Sequence, residues 1–192
     1  MRKRKKGKRR LKLTDVPKYE ALVYKLKRMR KMRIRDRALI AVLVYLGCRL
    51  NEALSLRVRD LDFRNRTVRI RQLKKKGEFI RIVPVPSEYF WRVMREYVSL
   101  LPSRDSRLFE ITDRQARNIV YGFTERALGR RYRPHSIRHA YAIFIMKKTR
   151  DLEVVRRLLG HSDYDWLKQY LDYTQEDIME DLKKAYYDLE ET

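Results

Sequence analysis

The sequence predicts an α+β fold that is mostly α-helical and carries one small antiparallel β-hairpin. Apolar residues recur at helical spacing over most of the 192 residues, and two β-branched segments flank a lysine-rich turn. No repeat and no Gly/Ser-rich linker divides the chain, so its length indicates one domain. With 44% hydrophobic residues it has the material for a core, which excludes a wholly disordered basic protein.

The predicted helices follow from apolar stripes and from residues typical of helix ends. Asp15 is the expected cap of the first helix, with Pro17 in its first turn, and Gly47 is placed to end the second helix, which is apolar almost all round. Thr112 is the expected cap of a later helix. The predicted helices span residues 17–31, 35–47, 51–56, 87–100, 112–128, 135–148, 152–159, 163–170 and 175–189.

The strand structure is predicted at two places. Residues 67–73 and 78–85 alternate or are rich in β-branched residues on either side of a turn at residues 74–77, which is typical of a hairpin. Residues 107–111 are predicted to form a short edge strand.

The charge of the chain points to a polyanionic partner. The formal net charge is +23, from 48 Lys and Arg against 25 Asp and Glu, and nucleic acid is the commonest partner for such an excess. The high charge and the few amide residues are also typical of a thermophilic protein. Cys48 is the only cysteine, which excludes a disulfide framework and a Cys-based metal site. No apolar run is long enough to span a membrane, so we expect a cytoplasmic, nucleoid-associated protein.

The charge divides the chain into three predicted parts. Residues 1–12 form a disordered basic arm, since residues 1–10 alone carry eight basic groups and no acid. Residues 13–173 form the main domain, and residues 174–192 form an acidic amphipathic helix. Without the eight basic groups of the arm and the six excess acids of residues 171–192, residues 11–170 still carry +21. The domain itself is therefore the basic surface.

Two clusters carry groups that can hold a phosphodiester. Arg49 follows the break after the buried helix, and Glu52, three residues later, could orient its guanidinium for a bidentate contact with phosphate oxygens. His135 and Arg138 lie three residues apart on one helix face. The arginine should lower the pKa of the imidazole and keep it available for proton transfer near neutrality.

A third cluster carries a possible nucleophile. His161 follows Gly160 at the end of a predicted helix, and Tyr170 follows nine residues later. A phenol can attack phosphorus when surrounding cations hold the developing charge.

Taken together, these residues resemble the tyrosine recombinase (phage integrase) family in order and in spacing. Residues 47–56 fit the first arginine box, residues 135–139 fit the H-x-L-R-H box with Ile for Leu, and residues 159–162 fit L-G-H-S. Residues 81–84 match the R-x-V-P strand that follows the hairpin lysine of the family, which points to Lys76. Lys74 and Lys75 remain alternatives to Lys76. Tyr173 and, more distantly, Tyr164 remain alternatives to Tyr170, because the residues after Tyr170 depart from the family pattern.

The resemblance implies a catalytic domain that needs no metal and no cofactor. Tyr170 would attack the scissile phosphate and form a 3′-phosphotyrosyl link, while Arg49 and Arg138 clamp its non-bridging oxygens. His161 would donate to the developing charge. Lys76 would protonate the leaving 5′-oxygen, and His135 would be the acid/base toward the tyrosine.

The resemblance also implies double-stranded DNA as the partner and a tetramer on that DNA, with a monomer or weak oligomer when free. The C-terminal helix would dock on a neighbouring protomer, or else pack on its own. The separate core-binding domain common in the family has no counterpart in this sequence, so we expect a catalytic fragment or a minimal member. The DNA target and the role in viral or plasmid integration, excision or resolution stay open. Alternative functions are type IB topoisomerase-like relaxation, a catalytically silent DNA-binding protein and a ribosomal-type RNA-binding protein.

Overall fold

The computed structural model describes residues 15–29, 31–74 and 77–160. Within them, the fold is mostly helical and carries one small antiparallel sheet, as the sequence predicts. The helices are α1 Tyr19–Arg28, α2 Ile34–Leu46, α3 Leu50–Ser55, α4 Glu88–Val98, α5 Asp113–Leu128, α6 Pro134–Thr149 and α7 Leu152–Leu159, with a 3₁₀ turn at Val58–Asp60. The strands are β1 Leu61–Asp62, β2 Thr67–Lys74 and β3 Gly77–Pro84.

Helix α2 is the centre of the core. Its side chains from Ala38 to Val44 are buried, and it packs against α4 and α6. Gly47 ends the helix in the left-handed conformation, with φ 55°, and a Cβ there would lie 2.3 Å from the Tyr141 ring. The predicted all-round apolar helix and its glycine stop are both confirmed.

Three other helices begin at capping groups that the sequence carries. Thr112 and Gln115 cap α5 reciprocally, since the Gln115 N–H donates to Thr112 Oγ1 at 3.2 Å and the Thr112 N–H donates to Gln115 Oε1 at 2.9 Å. Pro134 is the first residue of α6, and the Asp151 carboxylate caps α7. The Asp15 cap is wrong: Lys18 precedes α1 with no side-chain cap, because the helix begins only at Tyr19, and Asp15 pairs instead with Arg130.

The sheet is antiparallel in the order β1-β2-β3. Strands β2 and β3 pair from Thr67 opposite Pro84 to Lys74 opposite Gly77, which confirms the hairpin and its turn. The edge strand predicted at residues 107–111 is wrong, because only a single bridge, Arg57 to Arg107, forms there. Leu108 and Phe109 are buried as the chain leads into α5, so they serve packing rather than strand pairing.

Strand β3 reverses the burial that its residue types suggest. Ile80 and Ile82 are 47% and 62% exposed, whereas Arg81, between them, is buried beside the core residue Val83 on the same face of the strand. A side chain with a permanent charge therefore lies on the inner face of the hairpin, where it needs a counter-charge.

The predicted arm and the helices predicted at residues 163–170 and 175–189 lie outside the described residues. The boundaries 13–173 and 174–192 therefore stay predictions. Among the helices that the structure describes, none is long and apolar enough to cross a membrane.

Candidate functional site

The site is built around the carboxylate of Glu52. Arg49 precedes α3, and its backbone N–H donates to Glu52 Oε2 at 2.9 Å, so the carboxylate also caps the helix start. The Arg49 side chain returns to the same group, because its Nη1 donates to Glu52 Oε1 at 2.9 Å. Glu52 is buried, so this contact fixes one end of the Arg49 guanidinium against a rigid partner.

Two further guanidinium groups approach this carboxylate from distant parts of the chain. Arg81 on β3 donates from Nη2 to Glu52 Oε2 at 2.6 Å, and Nη1 of Arg138 on α6 lies 3.9 Å from the same oxygen. We call Arg49, Arg81 and Arg138 around Glu52 the arginine cluster. The structure thus brings together the two predicted arginines, Arg49 and Arg138, and adds a third that the sequence reasoning missed as a site residue.

Arg138 is the most deeply buried member of the cluster. Its side chain is 1% exposed, and its two terminal nitrogens donate to the carbonyl oxygens of Gly47 (2.8 Å) and Leu159 (2.9 Å). It therefore joins the C-terminal ends of α2 and α7. Burial, together with the neighbouring charge of Arg49, lowers the pKa of Arg138 to about 10, so the group is still a cation at neutral pH.

Arg49 is the exposed member of the cluster. Its side chain is 41% exposed. In the part of the chain that the structure describes, Nη2 and Nε of Arg49 have no hydrogen-bond partner. The carboxylate thus holds one corner of a planar fork whose other donors face solvent, which is an arrangement that can accept an anion.

The electrostatics of the cluster keep Glu52 ionised. Burial by itself raises the pKa of the Glu52 carboxyl, but the hydrogen bond and charge of Arg81, the N–H of Arg49 and the charge of Arg138 together outweigh it. The pKa of Glu52 therefore lies below its ordinary value. Three cations against one carboxylate leave the cluster with an excess of positive charge.

His135 lies in the first turn of α6, three residues before Arg138. Its ring contacts the ring of buried His139, with 4.3 Å between the centroids. Although the residue as a whole is exposed, surrounding protein removes part of the water around its ring. This desolvation, then the charges of Arg138 and Arg49, lowers the pKa of His135. The predicted lowering of the His135 pKa is confirmed, and burial contributes more to it than Arg138, the arginine named in that prediction.

Gln72 is a second residue of the hairpin that sequence reasoning missed. It is buried on β2, and with its amide oriented to suit its neighbours it donates to the Gly160 carbonyl at 3.0 Å and accepts from Arg49 Nη1. Gly160 ends α7 with φ 69°, and Gln72 and Arg81 both pack against it. No sequence signal marks either residue, because Ile80 and Ile82 favour the opposite orientation of β3.

The remaining predicted site residues lie outside the described residues. These are Lys76, His161 and Tyr170, and the alternatives Lys75, Tyr164 and Tyr173 are outside as well. The Lys74 backbone ends β2. Gly160, which the structure places against Gln72 and Arg81, directly precedes His161 in the chain. Over residues 15–29, 31–74 and 77–160, no group of three or more His, Cys, Asp and Glu side chains is arranged to hold a metal ion.

Cys48 lies between Gly47 and Arg49 and is buried, with its Sγ 4.0 Å from the Val42 carbonyl oxygen. Burial, and next the charge of Glu52, raises the pKa of this thiol to about 12. It is therefore a packing residue at neutral pH and not a nucleophile.

The curated proteins to which this chain is similar share the name tyrosine recombinase. The chain is 30% identical over 155 residues to a tyrosine recombinase of Pseudothermotoga lettingae, which covers 78% of this chain and 54% of the relative. It is 30% identical over 157 residues to the tyrosine recombinase XerA of Saccharolobus solfataricus, covering 80% of this chain and 51% of that protein. The chain thus spans about half the length of these relatives.

A solved structure agrees with these matches. The crystal structure of the XerH site-specific recombinase bound to its difH substrate, a pre-cleavage complex, superposes with a TM-score of 0.71 at 25% identity. The superposition covers 86% of this chain and 52% of that one. The model of the phage integrase family matches residues 12–177, which include every predicted site residue. The chain belongs to the phage integrase family.

Proposed function

We propose that this chain is the catalytic domain of a tyrosine recombinase, which cleaves and rejoins double-stranded DNA through a 3′-phosphotyrosyl intermediate. The observation that carries the proposal is the arginine cluster, which joins α3, β3 and α6 around one buried carboxylate in a chain of this family. Its relatives are named tyrosine recombinases, and one similar structure is a recombinase solved on its DNA substrate before cleavage.

The charge of the cluster suits a phosphodiester. A phosphodiester carries one negative charge, and a second develops on its non-bridging oxygens as a nucleophile adds. The three guanidinium groups exceed the single carboxylate by two positive charges, and the exposed edge of Arg49 is available to the phosphate. Fixed cations that face developing charge lower the barrier without reorganisation during the reaction.

Each proton and bond in the cleavage step has an assigned group. Tyr170 attacks phosphorus while His135 accepts its phenolic proton, and the lowered pKa of His135 keeps the ring unprotonated for this purpose near neutrality. The P–O5′ bond breaks as Lys76 protonates the leaving 5′-oxygen. His161 donates to the non-bridging oxygens. Rejoining reverses these transfers with the 5′-hydroxyl of another strand.

Strand exchange between two duplexes requires several protomers on DNA, and we propose a tetramer. The C-terminal helix predicted at residues 174–192 would link the protomers, because its apolar residues need burial while its acidic side would be repelled by DNA. Deleting residues 175–192 should abolish assembly on DNA and leave the melting of the domain unchanged. A truncated chain that melts early or aggregates would instead show that this segment packs on its own domain.

Covalent trapping tests the activity on any target sequence. A pool of nicked duplexes with randomised sequence is incubated with the chain, the protein is denatured, and DNA that stays attached is recovered and sequenced. A nick near the cleavage point lets the short fragment diffuse away, so a phosphotyrosyl adduct accumulates. We expect enrichment of a defined sequence with wild type and with Tyr173→Phe, and no adduct with Tyr170→Phe.

Two other outcomes are informative. An adduct that is lost in Tyr173→Phe and kept in Tyr170→Phe would move the nucleophile to Tyr173. Tight DNA binding with no adduct from any duplex would contradict the proposed cleavage and would favour a silent DNA-binding protein. Relaxation of supercoiled plasmid without strand exchange between two recovered sites would favour the topoisomerase-like alternative.

A further inference from the structure

Arg81 makes contacts that a residue serving only the fold of the hairpin would not need. It is 5% exposed, and its guanidinium lies between two other elements: Nε donates to the Leu158 carbonyl at 2.9 Å near the end of α7, and Nη2 donates to Glu52 Oε2 at 2.6 Å on α3. Nη1 is buried and has no hydrogen-bond partner among the described residues. Such a buried cation costs stability unless its partners offset the desolvation, so an apolar residue would serve the fold more simply.

The partner that Arg81 holds is the one that orients Arg49. Glu52 Oε2 accepts from Arg81 and from the Arg49 backbone N–H, while Oε1 accepts from the Arg49 guanidinium. Without Arg81, the Glu52 carboxylate loses its shortest hydrogen bond. The position of this carboxylate is then less well defined, and so is the position of the Arg49 guanidinium that it holds. The hairpin also reaches Arg49 Nη1 directly, through the Gln72 amide.

We propose that Arg81 is a positioning residue, which fixes the direction of the exposed Arg49 fork by holding Glu52 through Oε2, the oxygen that does not accept from the Arg49 guanidinium. This inference rests on the proposed function, since Arg49 is taken to contact the scissile phosphate. Arg81 itself is covered by protein and does not touch the phosphate. Its effect on the reaction passes through Glu52.

The direct test replaces the fork of Arg81 and keeps its charge. Arg81→Lys retains a cation near Glu52 but carries all its donors on one nitrogen, so it does not reproduce the separate contacts of Nε with Leu158 and of Nη2 with Glu52. Rates of covalent adduct formation are measured at saturating protein on the duplex recovered by trapping. Small displacements of a positioned group can cost up to about 10²-fold in rate, so we expect at least about a tenfold loss with little change in DNA affinity.

A second substrate separates positioning from a general structural defect. The same duplex carries a methylphosphonate at the scissile linkage, which replaces one charged non-bridging oxygen by methyl and so needs less from Arg49. The rate lost on Arg81→Lys should be clearly smaller on this substrate than on the phosphodiester. A defect in folding would lower both rates by the same factor.

The matched control is Arg95→Lys, the same change at an exposed arginine of α4. Arg81→Gln is made in parallel and removes the buried charge. Circular dichroism checks that each variant is folded. Because Arg81 acts through Glu52, Arg81→Lys combined with Glu52→Gln should be no slower than Glu52→Gln alone.

Each outcome decides the matter. An unchanged rate in Arg81→Lys, or equal losses on the two substrates, overturns the positioning role while the proposed function stands. Failure of both Arg81 variants to fold overturns it in favour of a purely structural role. Absence of an adduct with wild type overturns the proposed function, and the positioning role with it.

Discussion

Three glycines with the same left-handed backbone form a series that tests the packing around the site. Gly47, Gly129 and Gly160 have φ values of 55°, 70° and 69°. A Cβ at Gly129 would meet nothing within 4 Å, whereas at Gly47 it would lie 2.3–2.9 Å from three atoms of the Tyr141 ring. At Gly160 it would lie 2.9 Å from the Gln72 side-chain amide and 3.0 Å from Arg81 Nη1.

Alanine at each position incurs the same backbone strain, about 1–2 kcal/mol, and gains the same reduction in unfolded-chain entropy. The variants therefore differ by the contacts of the added methyl group. Overpacking a filled core costs about 1–3 kcal/mol. Gly47→Ala should thus lower the free energy of unfolding by about 1–3 kcal/mol more than Gly129→Ala, since the Tyr141 ring that it meets is buried.

Gly160→Ala should fall between the other two, because its three closest contacts, at 2.9, 3.0 and 3.1 Å, are longer than those at Gly47. Urea unfolding followed by circular dichroism gives the three free energies, with an unchanged m-value as the check that only native stability has altered. Equal losses in Gly47→Ala and Gly129→Ala would refute the tight packing of Tyr141 on the α2 terminus. A Gly160→Ala loss larger than that of Gly47→Ala would refute the ranking.

Four further predictions concern the cluster and its supports. Glu52→Gln leaves Arg81 buried without its counter-charge and should lower the free energy of unfolding in urea by about 3–5 kcal/mol. Because the pKa of Glu52 is lowered in the folded chain, the difference in stability between wild type and this variant should disappear as pH falls through that pKa. The lowered pKa of His135 means that the unfolded chain binds its proton first, so stability should fall as pH drops below about 6.5, and His135→Gln should flatten that part of the profile. Arg49→Met should change unfolding by less than about 1 kcal/mol because the side chain is 41% exposed, yet lower the rate of adduct formation by about 10²–10³. Asp151→Ala removes the α7 cap and should cost about 1 kcal/mol.

The controls differ for each of these changes. Asp113→Asn, at an exposed surface pair, should cost far less than Glu52→Gln, and a similar cost would contradict the buried role of Glu52. An acid profile unchanged by His135→Gln would contradict the perturbed histidine. A large loss of stability in Arg49→Met, or no loss of rate, would contradict its assignment to the exposed edge of the cluster. Asp151→Asn keeps a capping oxygen and should restore most of the α7 stability.

The helices were predictable because their signals are local. The apolar run of α2, the Thr112–Gln115 pair before α5 and the glycine after α7 each lie within a few residues of the boundary that they set. Strand β1 has only two residues and carries no periodicity, so it could not be predicted. The prediction of Asp15 as a helix cap was wrong because Asp15 pairs with Arg130, 115 residues later in the chain.

The site residues also differ in whether a local signal in the sequence could predict them. Arg49 and Glu52 are three residues apart, so their pairing could be expected from the sequence. Arg81 lies 29 residues from Glu52, and the exposed Ile80 and Ile82 around it favour the opposite orientation of the strand. What places Arg81 inside is the tertiary approach of the hairpin to α3 and α7, which no local pattern records.

Because Cys48 is buried, the reactivity of the only cysteine in the sequence reports on local opening of the fold. A thiol reagent needs both access and thiolate, and the folded chain denies both, so alkylation must proceed through transient opening of the segment between α2 and α3. The ratio of the labelling rate to that of a free thiol then gives the free energy of opening next to Arg49. Slower labelling with bound DNA would measure how far the ligand stiffens this joint, with no cleavage required.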